Sequence, residues 1–124
     1  MLKTVKFGGS SLADAAQFRK CAAIIHSDAS RRYVVVSAPG KRNWNDIKIT
    51  DLLYRCCDAA QNDLDFSDSF SLVRERYCEI VRELGLDLDL NPKLDHIEAK
   101  LRSKVDRDYA GSRGEYLSAM VMAA

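Results

Sequence analysis

An unbroken run, Tyr33-Val34-Val35-Val36-Ser37, closed by Ala38-Pro39-Gly40, restricts the fold of this chain more than any other feature. Continuous β-branched runs, in contrast to alternating ones, mark parallel strands buried on both faces. Upstream, Val5 and Phe7 alternate with Thr4 and Lys6 until Gly8-Gly9 stops the run. This predicts a strand over residues 2–7 followed by a glycine-rich turn. Between the two strands, Ala15, Phe18, Ala22 and Ile25 recur at helical spacing behind Ser11 and Asp14, a capping-box variant, and the helix ends near Ser27. Strand, helix, strand is a βαβ unit.

The rest of the chain reads as helices. A polar loop, Lys41 to Asp46, precedes a helix capped near Thr50 and carrying Leu53, Cys56, Cys57 and Ala60 on one face. Phe70, Val73, Tyr77, Ile80, Val81 and Leu84 define a longer helix. The Leu/Asp alternation over residues 84–90 has the period of a strand, but Gly85, Asn91 and Pro92 around it favour a connecting loop. Leu94, Ile97, Leu101 and Val105 give the next helix. Gly111-Ser112-Arg113-Gly114 reads as a turn, with a last helix from near Glu115 through Leu117, Met120, Val121 and Ala124. That pattern stops without a capping glycine, and two strands are few for about five helices, so the sequence reads as part of a larger sheet domain. No internal repeat is present.

With 124 residues, 47% hydrophobic and 30% charged, the chain has the apolar content for one core and too much for a disordered segment. A formal net charge of +1 provides no overall field for nucleic acid or an anionic membrane, so neither is an expected partner. No apolar run reaches the roughly 18 residues of a membrane span, and the start has no secretory signal, which predicts a cytoplasmic protein. Cys21, Cys56, Cys57 and Cys78 have no C-x-x-C spacing and read as reduced, buried, small hydrophobes; no metal site is expected. His26 and His96 have no ligand pattern around them.

Chemistry concentrates at the strand ends. Lys6-Phe7-Gly8-Gly9-Ser10-Ser11 places a lysine, two glycines and a helix start in succession. Glycines let backbone N–H groups approach an anion, a helix N-terminus adds partial positive charge, and Lys6 adds a full one. The segment is not a Walker A loop, and its glycines serve equally well to make a tight turn. Ser37-Ala38-Pro39-Gly40-Lys41 ends the second strand. Ligands of open α/β sheets bind beyond the carboxyl ends of strands, so the two turns should flank one crevice. Thr50, in Ile49-Thr50-Asp51, and Glu115, in Gly114-Glu115-x-x-Ser118, also fit as ordinary helix-start residues.

Taken in order, Lys6-Phe7-Gly8-Gly9-Ser10-Ser11, Val36-Ser37-Ala38-Pro39-Gly40, Ile49-Thr50-Asp51-Leu52-Leu53 and Gly114-Glu115-x-x-Ser118-Ala119 closely resemble the amino-terminal part of aspartate kinases, in the amino acid kinase superfamily. The resemblance implies a three-layer α/β/α fold with a parallel-rich sheet, present only in part, with about two strands and five helices. On this reading residues 1–124 are the amino-terminal portion of the kinase domain, without the remainder of that domain or the ACT regulatory domains. The implied activity is transfer of the γ-phosphoryl group of Mg-ATP to the β-carboxylate of L-aspartate, the step that opens lysine, threonine and methionine biosynthesis.

By that resemblance Lys6 stabilises the transferring phosphoryl group, while Gly8, Gly9 and Ser10 contact phosphate oxygens. Ser37 lines the crevice, Thr50 contacts a substrate carboxylate, and Glu115 pairs with the α-ammonium group. The full-length parent is expected to be a homo-oligomer and the isolated chain inactive. The alternative is a non-catalytic phosphate- or nucleotide-binding module that associates with a partner chain.

Overall fold

A computed structural model describes residues 1–124. In chain order it comprises β1 (Lys3–Lys6), a short 3-10 turn (Gly9–Leu12), α1 (Ala15–His26), β2 (Arg31–Val35), α2 (Ile49–Gln61), α3 (Ser67–Leu84), α4 (Asn91–Arg102) and α5 (Arg107–Ala123). This is the expected partial α/β architecture, with two parallel strands joined through α1. Thr4 pairs with Tyr33, Val5 with Val34 and Lys6 with Val35, and the Phe7 N–H extends the ladder to the Val35 carbonyl at 2.9 Å.

Two features of β2 differ from the sequence reading. The strand spans Arg31–Val35 and not residues 33–37, because its partner turns away at Gly8-Gly9 and leaves Val36 and Ser37 without a ladder neighbour. Nor is it buried on both faces. Tyr33 and Val35 are 59% and 47% exposed, while Val5, Val34 and Val36 pack against the core from the opposite face. A continuous apolar run has no alternation, and without it the covered face cannot be told from the open one by pattern.

The main core is helical, with α2 packed between α3 and α5. Leu12, Ile49, Leu53, Leu94, Leu101 and Leu117 are fully enclosed, each burial stabilising by about 1.5–3 kcal/mol. Cys21, Cys56 and Cys57 are buried free thiols as expected, whereas Cys78 is only partly buried. No helix is long and apolar enough to cross a membrane.

The helix starts aim residues at the strand ends. Asp14, not Ser11, caps α1, its carboxylate accepting from the Gln17 N–H at 3.0 Å. Helix α2 begins at Ile49, so Thr50 lies one residue inside it and is not its cap. Lys48, at the cap position, offers no side-chain acceptor; the Ile49 N–H instead donates to the Pro39 carbonyl at 3.1 Å, which ties α2 to the turn after β2. Helix α4 stops at Arg102, and Val105 packs on the core from the following loop.

The largest correction concerns α5. It starts at Arg107, with Asp106 accepting from the Tyr109 N–H at 2.8 Å, and runs straight through the expected turn at residues 111–114. Both glycines are packing residues. A methyl group on Gly111 would lie 2.9 Å from the Tyr54 hydroxyl, and one on Gly114 would lie 2.5 Å from Ala38 Cβ. Close approach of helix to neighbour outweighs the roughly 1 kcal/mol that each glycine costs in a helix interior.

Candidate functional site

The two glycine turns meet backbone to backbone. The Gly40 N–H donates to the Gly9 carbonyl at 2.8 Å. A Cβ on Gly9 would come within 3.0 Å of the Ala38 oxygen, and one on Gly40 within 2.8 Å of the Gly9 carbonyl carbon. Neither position has room for a side chain, so here the glycines serve close approach. Gly8 differs, since a Cβ there would enter open space.

Beside this junction opens a cleft of about 520 Å³, lined by Gly9, Ser10, Ser37, Lys41, Thr50 and Glu115 together with Lys48 and residues 38–40. Five residues named from the sequence thus share one cavity: Gly9, Ser10, Ser37, Thr50 and Glu115. Lys6 and Gly8 are not in its lining. Lys6 is the exposed last residue of β1, across the ladder from Val35, and Gly8 precedes the 3-10 turn.

Three elements converge on the cleft for local reasons. The N-terminus of α2 faces it because of the Ile49–Pro39 bond, which brings Thr50 and the positive end of the helix to the wall. Helix α5 is drawn against Ala38 through Gly114, carrying the adjacent Glu115 to the opposite side. The turn after β2 contributes Ser37 and residues 38–40. Lys41 and Lys48, both exposed, add two positive charges; the sequence reading includes Lys41 in the turn at the crevice but assigns neither lysine a role. The signal for them was position: Lys41 directly follows the Pro-Gly turn, and Lys48 precedes Thr50 by two residues.

Behind the cleft lies a buried cation that sequence reasoning missed. Arg76 of α3 is 4% exposed, and its guanidinium donates to the Gly40 carbonyl at 2.8 Å and to Asp46 Oδ2 at 2.6 Å. Asp46 also accepts from the Arg42 side chain at 2.8 Å. The Arg42 hydrogen bonds, with added attraction from Arg76, hold the Asp46 carboxyl well below the usual carboxylate range.

Chemically, the cleft combines two lysines, three hydroxyl residues (Ser10, Ser37 and Thr50) and the positive end of α2 with a single carboxylate. It suits a ligand bearing anionic groups at one end and an ammonium at the other. No histidine or cysteine lines the cleft, and nowhere in the chain do three or more His, Cys, Asp or Glu side chains come together as a metal site.

No protein-family model matches the chain. It is 44% identical over 93 residues to aspartokinase 3 of Bacillus subtilis, an alignment covering 75% of this chain and 20% of that protein. Its backbone superposes on the crystal structure of Clostridium acetobutylicum aspartate kinase with a TM-score of 0.94 and 49% identity, over 97% of this chain and 28% of that one. Escherichia coli aspartokinase III, crystallised with aspartate and ADP, shares the fold at a TM-score of 0.77 and 23% identity, covering 98% of this chain and 28% of its own. The chain therefore spans about a fifth of the curated relative and just over a quarter of each solved structure. With nearly half its residues identical to a solved aspartate kinase on a backbone that matches almost throughout, the chain belongs to the aspartate kinase family.

Proposed function

We propose that these residues form the amino-terminal, phosphate-cradling part of a kinase that transfers the γ-phosphoryl group of Mg-ATP to the β-carboxylate of L-aspartate, giving 4-phospho-L-aspartate. The observation that carries this reading is the Gly9–Gly40 junction, beside which Ser10, Ser37, Thr50 and Glu115 share one cleft.

The chemistry asks for little more than this arrangement supplies. A loose phosphoryl-transfer transition state needs reactants held in line and negative charge neutralised, with no protein nucleophile. Ser10 and the backbone around Gly9 are the proposed contacts for phosphate oxygens, with positive charge added by Lys41 and Lys48. Thr50, in the first turn of α2, suits a substrate carboxylate, and Glu115 suits its α-ammonium group. Lys6, exposed at the end of β1 and separated from Gly8-Gly9 only by Phe7, is the proposed stabiliser of the phosphoryl group in flight. Mg-ATP and L-aspartate are the proposed substrates, in a cytoplasmic, homo-oligomeric parent enzyme serving lysine, threonine and methionine formation.

Grafting residues 1–124 in place of the matching segment of the Clostridium acetobutylicum kinase gives a complete enzyme in which to test this. Hydroxylamine trapping of aspartyl phosphate should detect turnover that Lys6→Met abolishes. The 124-residue chain alone should give none. A folded, correctly assembled graft without Lys6-dependent turnover would rule the reading out in favour of a binding module.

A further inference from the structure

We propose that Arg76, which does not line the cleft, is a positioning residue that fixes the spacing of Lys41 and Lys48 by pinning both ends of the loop between them. The inference rests on the kinase reading for the identity of the ligand, and on geometry for the pinning.

The Arg76 guanidinium reaches four acceptors from three separate stretches of chain. One terminal nitrogen donates to the Ala13 carbonyl at 3.3 Å and the Gly40 carbonyl at 2.8 Å. The other donates to Asp46 Oδ2 at 2.6 Å and the Ile47 carbonyl at 3.2 Å. Gly40 immediately precedes Lys41, and Ile47 immediately precedes Lys48. The two lysines of the cleft are thus each one residue from an anchor on the same rigid group. Ala13 follows the 3-10 turn, so the clamp also ties in the segment carrying Gly9 and Ser10.

A buried arginine is costly unless its donors are satisfied, and here burial indeed lowers its pKa. The planar fork, with donors in fixed directions, lets one side chain hold four oxygens at once; a lysine ammonium has three donors and no such plane. Without Arg76 the loop would keep the Gly40–Gly9 and Ile49–Pro39 backbone bonds at its margins and the Arg42–Asp46 and Arg42–Glu79 pairs, whose arginine side chain is 39% exposed. Exposed pairs of that kind contribute little, and none of these contacts joins the Gly40 end of the loop to Ile47 through a single group as the guanidinium does. Trp44, 85% exposed in the middle of the loop, reports on its order.

The test uses the complete grafted kinase, with Arg76→Met, Arg76→Lys and Asp46→Asn. Arg76→Met should raise the KM values for aspartate and ATP about tenfold while kcat changes less than about threefold, since the loop supplies binding charge and not the reacting groups. Arg76→Lys should recover part of this loss. Asp46→Asn, which leaves Arg76 its carbonyl partners, should fall between wild type and Arg76→Met and carries the test if Arg76→Met fails to fold. Tryptic cleavage after Lys41 and Arg42 should accelerate in the same order. Unchanged KM values despite faster loop cleavage would overturn the proposal, as would a fall in kcat alone. If the parent graft shows no Lys6-dependent turnover, the kinase reading fails separately; ADP affinity by calorimetry then decides on Arg76, a roughly tenfold weakening in Arg76→Met supporting it and an unchanged value overturning it.

Discussion

Gly114 of α5 lies against Ala38 so closely that a methyl group on the glycine would sit 2.5 Å from Ala38 Cβ. The contact is what brings a helix onto the turn after β2 and carries Glu115 to the cleft. Gly114→Ala should therefore destabilise the chain, even though alanine favours a helix interior by about 1 kcal/mol. Overpacking of this kind costs about 1–3 kcal/mol, and the net loss should be about 1 kcal/mol in urea unfolding. Ala38→Gly in the same chain removes the clashing atom and should restore most of the stability. A double variant no more stable than Gly114→Ala would show that the strain lies elsewhere.

Tyr77 secures the same helix from the other side. Its hydroxyl, fully enclosed, donates to the Gly114 carbonyl at 2.6 Å and lies 3.3 Å from Ser118 Oγ. Burial pushes its pKa well above the ordinary tyrosine value. A folded-state pKa raised above the unfolded one means that the stabilisation is complete below pH about 10 and is lost as pH rises beyond it. Tyr77→Phe should cost about 1 kcal/mol at pH 7. Unfolding curves at pH 8 and 10.5 should show a larger alkaline loss in wild type than in Tyr77→Phe; equal losses would exclude Tyr77 as their source.

How much of this was legible in the sequence depends on whether a residue's role is local. The Gly8-Gly9 and Pro39-Gly40 turns, the strands they end and the side-by-side placing of the turns follow from β-branched runs and turn chemistry, which act over a few residues. The start of α5 did not, because glycines at 111 and 114 are turn formers locally and packing residues only when Tyr54 and Ala38 arrive from α2 and the β2 turn. Thr50 reads as a cap because hydroxyl residues usually are, whereas the Pro39 carbonyl, ten residues before Ile49, meets the start of α2. Arg76 is, in the sequence alone, one charge among several on a long helix. Its position three residues after Val73 and four before Ile80, within the buried stripe, was the available signal.

The thiols should differ in reactivity as their surroundings differ. Cys56 is wholly enclosed, and burial pushes its pKa up to about 12. Burial also raises Cys21 and Cys57, whose thiols donate to the Ser11 and Val105 carbonyls. Cys78 is the one partly exposed cysteine. Because alkylation proceeds through accessible thiolate, iodoacetamide at pH 8 should modify Cys78 at least about tenfold faster than Cys56 under native conditions. Peptide mass spectrometry over a time course checks the order, and early loss of Cys56 would mean that the α2 core opens readily.

Acid should release the cleft loop before it unfolds the helices. Asp46 accepts hydrogen bonds from both the Arg42 backbone N–H and side chain and from Arg76, and these hold its carboxyl well below the usual carboxylate range. A lowered folded-state pKa contributes stability above the unfolded value near 4, and that contribution disappears as pH falls through the folded one. The sole tryptophan, Trp44, sits two residues from Asp46, so its emission and anisotropy read the loop directly while far-ultraviolet dichroism reads the helices. Both signals should be flat from pH 7 to about 5, with the Trp44 signal changing first below pH about 4. In Asp46→Asn the loop should be looser at neutral pH and its signal should lose this acid step, because the neutral amide has no proton to gain. Coincident loss of both signals in wild type, or an unaltered acid step in Asp46→Asn, would show that the loop is held by something other than this carboxylate.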